Sequence, residues 1–178
     1  DFIKAMEDGS GLDLTQFRLW YSQAGTPKVS VTLAHEGDTA TLTLKQTVPP
    51  TPGQTAKYPM PIPLKIALFD RSSGTHDGQQ LIVLDKEETT IAFTGFAEKP
   101  VLSVNRGFSA PVTVERDISR DDLVFLAARD DDPFARYEAM QDLVVGHLTA
   151  AAGDAGAAGL DDTESDAARR DIGAALRA

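Results

Sequence analysis

The sequence predicts a mainly β protein: an antiparallel β-sandwich of seven or eight short strands, with a short helix before it and two or three α-helices after it. Three observations carry this. Between Lys28 and Glu115 apolar residues recur at every second position in short runs, broken by Gly, Pro, Asp and Asn at roughly ten-residue spacing. No helical period separates those runs, so the crossover helices that a parallel α/β fold requires are missing. Before Gly25 and after Ile118 the apolar spacing changes to three and four residues, the period of a helix.

Taken in order, the opening segment reads as a helix. Asp13 is in position to cap, Gln16 completes a capping-box spacing, and Leu14, Phe17, Trp20 and Tyr21 share a face. Gly25 and Thr26-Pro27 form its stop signal, glycine for a left-handed turn and proline because it cannot continue a helix. Val29, Val31 and Leu33, then Ala40, Leu42 and Leu44, alternate with polar residues about a turn at Glu36-Gly37-Asp38, which is a hairpin with one wet face. Val48-Pro49-Pro50-Thr51-Pro52-Gly53 must be a loop, and Pro59, Pro61 and Pro63 confine the start of the next strand to an edge or a bulge. Ile62, Leu64, Ile66 and Leu68 resume the alternation. After a turn at Arg71-Ser72-Ser73-Gly74 and Asp77-Gly78 come strands at Leu81–Leu84, Thr89–Phe93, Val101–Asn105 and Val112–Glu115.

Past Ile118, Ser119 followed by Asp121-Asp122 marks a helix start, a capping hydroxyl with acids at the positive helix end. Leu123, Phe125 and Leu126 give it an apolar side. Asp132-Pro133 opens a second helix, with proline at the first position, where its missing N–H is harmless. Phe134, Tyr137, Met140, Gln141, Val144 and Leu148 run along its face. Thr149 to Gly159, rich in Ala and Gly, reads as a loose connection, and Asp161 to Ala178 as a weakly amphipathic helix with Ile172 and Leu176 on its apolar side. Neither terminal segment closes a core of its own.

Charge divides the chain at the same places. Residues 1–25 carry a net −2, residues 26–118 a net −1 and residues 119–178 a net −7, within a total of −10 over 178 residues. The balance of 42% hydrophobic and 25% charged residues is that of a globular protein. An acidic surface disfavours nucleic acid, whose phosphates need clustered Lys and Arg, and anionic membrane surfaces. Apolar runs are too short to span a bilayer, and no basic and apolar leader pattern opens the sequence. Cysteine is absent, which excludes disulfides, thiolate metal sites and cysteine nucleophiles.

Candidate chemistry is sparse, and no residue is assigned a catalytic, cofactor-binding or metal-binding role. The three histidines, His35, His76 and His147, lie in three segments. His35-Glu36 begins like a zinc-protease HExxH helix, but Thr39 stands where the second histidine belongs and Gly37 breaks the helix, so a turn is the better reading. His76 reads as a solvated turn histidine, and His147 as a cation late in a helix. Asp130-Asp131-Asp132 lacks the spacing of a calcium loop and reads as a solvated cap run, as do Asp121-Asp122 and Asp161-Asp162. Ser72-Ser73-Gly74 is no nucleophile elbow, and the spaced glycines Gly153, Gly156 and Gly159 follow no strand. Trp20 and Tyr21 read as a packed helix face before a sugar-stacking platform.

One stretch carries a resemblance. Phe17-Arg18-Leu19-Trp20-Tyr21-Ser22-Gln23-Ala24-Gly25-Thr26-Pro27 is similar to the junction after the catalytic domain of bacterial aminopeptidase N, the zinc-dependent alanyl aminopeptidases. Pro49-Pro50-Thr51-Pro52, Phe108-Ser109-Ala110-Pro111-Val112 and Asp132 with Phe134, Arg136, Ala139, Gln141 and Leu143 extend it in the right order. Tyr137 departs from it, because the family tends to carry Trp there. The resemblance implies that residues 1–25 end a catalytic domain, that 26–118 form the third, immunoglobulin-like domain, and that 119–178 begin a helical domain.

It further implies a non-catalytic structural spacer of a cytoplasmic enzyme that removes N-terminal residues from peptides. Its partners would be the catalytic and helical domains of the same chain, with no nucleic acid and no membrane. No cofactor belongs to this segment, zinc belongs to the parent enzyme, and the segment alone would be inactive. Two other readings stay open at this point: an extracellular immunoglobulin-like adhesion or carbohydrate-binding module, and an independent enzyme with a site of its own.

Overall fold

The computed structural model describes residues 2–154 together with residues 170 and 173. It holds seven strands among the described residues: β1 Lys28–Glu36, β2 Thr39–Thr47, β3 Ile62–Phe69, β4 Gln80–Leu84, β5 Glu88–Thr94, β6 Val101–Val104 and β7 Thr113–Arg116. Helices α1 Phe2–Ser10 and α2 Leu19–Ser22 precede them, and α3 Arg120–Arg129 and α4 Pro133–Asp154 follow. The strands form a four-stranded sheet in the order β5-β2-β1-β7 and a three-stranded sheet in the order β4-β3-β6, the immunoglobulin-like arrangement expected. One pairing departs from the antiparallel expectation. β1 pairs with β7 in parallel, Val29 opposite Val114, the intervening chain having contributed strands to both sheets.

The chain divides into two compact units. The first takes the chain up to Leu64, Leu81–Ala97 and Ser109–Arg116; the second takes Lys65–Gln80, Glu98–Phe108 and everything from Asp117 onward. In the first, the inward positions of β1 and β2 are the alternating residues the sequence marks: Val29, Val31, Ala40, Leu42 and Leu44 are all buried. Gln46 continues that inward row and is buried too.

The proline-rich stretch after β2 explains why a glutamine stands there. Pro59 and Pro61 remove N–H groups, so Tyr58–Pro61 cannot join a ladder, and buried peptide groups must be satisfied otherwise. Side chains do it. Tyr58 exchanges two bonds with the Gln23 amide, N–H to Oε1 at 2.8 Å and carbonyl from Nε2 at 2.9 Å. The Pro59 carbonyl accepts from Gln16 Nε2 at 3.1 Å and the Pro61 carbonyl from Trp20 Nε1 at 3.0 Å. Met60 donates its N–H to Gln46 Oε1 at 2.8 Å, while Gln46 Nε2 gives to the Met60, Leu84 and Lys86 carbonyls at 2.9, 3.0 and 2.9 Å. Every backbone polar group of Tyr58–Pro61 is thus paired by a side chain.

The opening segment differs from its sequence expectation. The longer helix, α1, lies ahead of Asp13 and ends at Gly11, whose φ of +70° forms a left-handed stop. Asp13 does not cap a helix: its carboxylate accepts from the Thr15 N–H at 2.9 Å in a local turn. Gln16 cannot complete a capping box because its amide is drawn to the Pro59 carbonyl and, at 2.6 Å, to that of Asp85. A single 3-10 turn at Gln16–Arg18 and the four-residue α2 follow. Gly25 does take positive φ, +102°, and a Cβ there would stand 3.3 Å from the Pro49 carbonyl oxygen.

In the second unit, Ser119 caps α3 as expected, accepting from the Asp122 N–H at 3.1 Å, and Asp132 caps α4 by accepting from the Ala135 N–H at 2.8 Å. Helix α4 does not stop at Thr149. It continues to Asp154, because the Ala-rich stretch after Leu148 is made of strong helix formers. The expected connection beyond Asp154 and the final helix over 161–178 lie outside the described residues, apart from 170 and 173. Ala67, Phe69 and Val101 from β3 and β6 pack with Leu123, Leu126 and Ala127 of α3 and Ala139 and Leu143 of α4.

Gln46→Leu keeps the volume but strands one buried N–H and three carbonyls. Urea unfolding read by Trp20 fluorescence is expected to show a loss of about 2–4 kcal/mol. Gln46→Glu is expected to lose more at neutral pH than in acid, where the new carboxyl is protonated and can donate.

Candidate functional site

The densest polar cluster among the described residues sits in the second unit, where the turn after β6 meets the link between α3 and α4. Strand β6 ends in Asn105 with φ +56°, Gly107 has φ +61° and Phe108 φ +52°. This tight reversal turns Arg106 inward, where it is 2% exposed. Its guanidinium lies 5.9 Å from the centre of the Phe69 ring, at the reach of a cation–π contact. Its Nη2 donates to Asp130 Oδ1 at 3.1 Å and to the Asp131 carboxylate.

All three residues of the acidic run are used. Asp130 is 1% exposed, and besides Arg106 it accepts from the Asp132 N–H at 2.9 Å. Asp132 accepts from the Gly107 N–H at 3.0 Å while capping α4. Asp131 bonds His76 Nε2 at 3.0 Å. The solvated reading of this run is therefore corrected for Asp130: it must neutralise a buried arginine, and a lone guanidinium could not stay there. Burial pushes the Asp131 carboxyl up, but the His76 hydrogen bond and the Arg106 charge outweigh it and hold that carboxyl below its ordinary value. Its stabilisation is present above the ordinary carboxylate range and fades as pH falls below it.

His76 is likewise corrected. Its side chain is only 15% exposed, its ring stands edge-on to Phe69 at 4.7 Å, and both ring nitrogens are engaged. Nδ1 accepts from the Gly78 N–H at 2.9 Å, so Nε2 carries the proton and donates to Asp131. A histidine so placed has no lone pair left to serve as base or metal ligand. The neighbouring turn is built the same way. Asp70 accepts from the Ser72 hydroxyl and the Ser73 N–H, both at 2.7 Å, and these bonds lower its pKa to about 2. Its contribution to stability is held above the usual carboxylate range and is lost as pH falls through about 2. Asp122, in the first turn of α3, pairs with Arg71.

The other sequence candidates stay apart. His35 on β1 gives its Nε2–H to the Phe96 carbonyl at 2.9 Å, and His147 lies on α4. Trp20 is packed and bonded to Pro61, whereas Tyr21 is 66% exposed. Gly156, Gly159 and Asp161-Asp162 lie outside the described residues. A cleft of ≈ 240 Å³ in the first unit is lined by residues including Lys45, Lys57, Tyr58 and Glu87, but Lys57 spends its three N–H groups on Ala24, Thr51 and Gln54. Among the described residues no group of three or more His, Asp or Glu side chains could hold a metal ion. What the sequence reading missed were Gln46 and Arg106. The signal for Gln46 was its place on the inward row of β2; no sequence signal marks Arg106 as buried.

Residues 25–117 match the family model described as "Domain of unknown function (DUF3458) Ig-like fold". The chain belongs to this family. Residues 120–178 match a second model, "DUF3458_C, ARM repeats". The chain is homologous to aminopeptidase N. It is 37% identical over 157 residues to the aminopeptidase N of Escherichia coli, covering 83% of this chain and 18% of that protein. Against the aminopeptidase N of Caulobacter vibrioides it is 39% identical over 144 residues, covering 80% of this chain and 17% of that one. Among solved structures, Legionella pneumophila aminopeptidase A in complex with aspartic acid superposes with a TM-score of 0.72 at 30% identity, over 83% of this chain and 17% of that chain. The chain thus spans less than a fifth of the length of these relatives.

The buried pair makes a definite prediction. Asp130→Ala removes the buried partner of Arg106 and leaves it only the exposed Asp131 carboxylate, and is expected to lose about 3–5 kcal/mol in chemical unfolding followed by circular dichroism. The double variant Arg106→Met with Asp130→Leu is expected to recover most of that loss.

Proposed function

We propose that this chain is a non-catalytic bracing module of an aminopeptidase N, a metallopeptidase that removes N-terminal amino acids from peptides. The observation that carries the reading is the run of 157 aligned residues at 37% identity that takes up 18% of the Escherichia coli aminopeptidase N. In this reading residues 1–25 end the catalytic domain, residues 26–118 are the immunoglobulin-like spacer, and residues 119–178 open the helical domain. The zinc and the groups that act on the peptide belong to the catalytic domain, and the enzyme works in the cytoplasm. The chain's partners are the catalytic and helical domains of its own polypeptide.

Two features support a mechanical role. The segment before Gly25 is fastened to the sandwich by the Gln16, Trp20 and Gln23 side chains, a connection made of hydrogen bonds to rigid proline-rich backbone. The start of the helical segment is fastened to the β6 turn by Arg106, Asp130 and Asp132. Of the side chains that could serve as bases, His76 is tied up in such contacts at both ring nitrogens. The spacer then holds the helical domain near the catalytic cleft, so that only short peptides reach it.

The test compares two proteins at equal molarity in buffer with zinc, the isolated chain and the full polypeptide that carries it. The full polypeptide is expected to release the chromophore from an alanyl-anilide, and the isolated chain to leave it at the buffer rate. Turnover by the isolated chain that His76→Ala abolishes would contradict the reading, as would an inert full polypeptide.

A further inference from the structure

Phe108 ends the left-handed turn that aims Arg106, yet its own ring gains little burial from that turn. Its φ is +52°, in the left-handed region, where a side chain with a Cβ crowds its own backbone. Its ring is nonetheless 55% exposed, so burial within the chain does not offset that strain. The loop is not slack either. Arg106 holds it to Asp130, the Gly107 N–H is bonded to Asp132, and the Phe108 N–H closes back on the Asn105 carbonyl at 3.0 Å.

The ring leans on Phe134 with 5.4 Å between centroids. One helical turn along α4 stands Tyr137, 57% exposed, its hydroxyl accepting from Gln141 Nε2 at 2.8 Å. Scattered exposed aromatics are ordinary. Three rings, one on a strained, pinned loop and two a turn apart on α4, are different, since stiff aromatic groups set out in advance are what binding hot spots are made of.

We infer that Phe108, Phe134 and Tyr137 form a docking patch for an apolar pocket with a basic rim on another domain of the same polypeptide, an inference that rests on the function proposed above. Two observations select that occupant. The relatives carry more than four-fifths of their length outside the matched region, so there is chain to cover the patch. Beside Phe134 and Tyr137 along the chain stand Asp131, 65% exposed, and Glu138, also exposed. Such a surface attracts a basic rim and repels a second copy of a chain whose net charge is −10.

Hydroxyl-radical footprinting tests this on the isolated chain and on the full polypeptide. Oxidation of Phe108 and Tyr137 is expected to fall about tenfold in the full polypeptide, as water is excluded from the patch. Equal oxidation in the two proteins, with the full polypeptide active on an alanyl-anilide, overturns the patch and leaves the functional reading standing; an inactive full polypeptide overturns both. Protection that grows with the concentration of the isolated chain assigns the patch to a second copy and overturns the inference. Phe108→Gly relieves the backbone, so the isolated chain should keep or raise its Tm while Tyr137 loses its protection in the full polypeptide. Unfolding of the isolated chain by Phe108→Gly, with Tyr137 still protected in the full polypeptide, would make the ring structural and overturn the docking role.

Discussion

A stretch of backbone that can join no ladder organises the first unit. Between Tyr58 and Pro61 the alternating prolines leave four carbonyls and two N–H groups without a ladder partner, those of Met60 buried and the rest half-buried, and each is met by a side chain: Gln16, Trp20, Gln23 or Gln46. Three of these lie before Gly25, and the fourth is on the central strand β2. The proline segment therefore works as a seam. It joins the N-terminal segment to the sandwich without adding a strand to either sheet, and it does so with hydrogen bonds whose loss would expose buried polar groups.

The second unit is joined by charge. Arg106 is buried under the α3–α4 link and meets Asp130, while the turn that aims it requires left-handed backbone at Asn105, Gly107 and Phe108. Arg106 Nε and Nη1 and Asp130 Oδ2 find no hydrogen-bond partner among the described residues. The pair therefore fixes where the turn and the helix link meet more than it raises stability, since desolvation of both ions consumes much of their attraction. Both seams join a sandwich strand or its turn to a helical segment.

How much of this was legible in the sequence follows from what each element depends on. Period-two runs located all seven strands, because burial of one face leaves its mark residue by residue: Val29 and Val31, Leu42 and Leu44, Ile62 and Leu64. The caps Ser119 and Asp132 were legible because their bonds are made within three residues. Failures came where the deciding partner lies far along the chain. Gln16 has the spacing of a capping residue, yet its partners are Pro59 and Asp85. Asp130 reads as solvated because the arginine that buries it lies 24 residues away. The parallel β1–β7 pairing escaped for the same reason, since nothing in either strand alone encodes its neighbour. The family resemblance survived these errors because it rested on ordered motifs along the chain.

On these bonds the proline segment is a rigid seam and not a surface loop. Amide hydrogen exchange of the native chain addresses it at the Tyr58 and Met60 N–H groups, the two that donate to glutamine side chains. The account predicts exchange as slow as that of Leu42 and Leu44 in the centre of β2, released only when the first unit unfolds. Exchange of either amide at the rate of an open loop, while β2 stays protected, would contradict it.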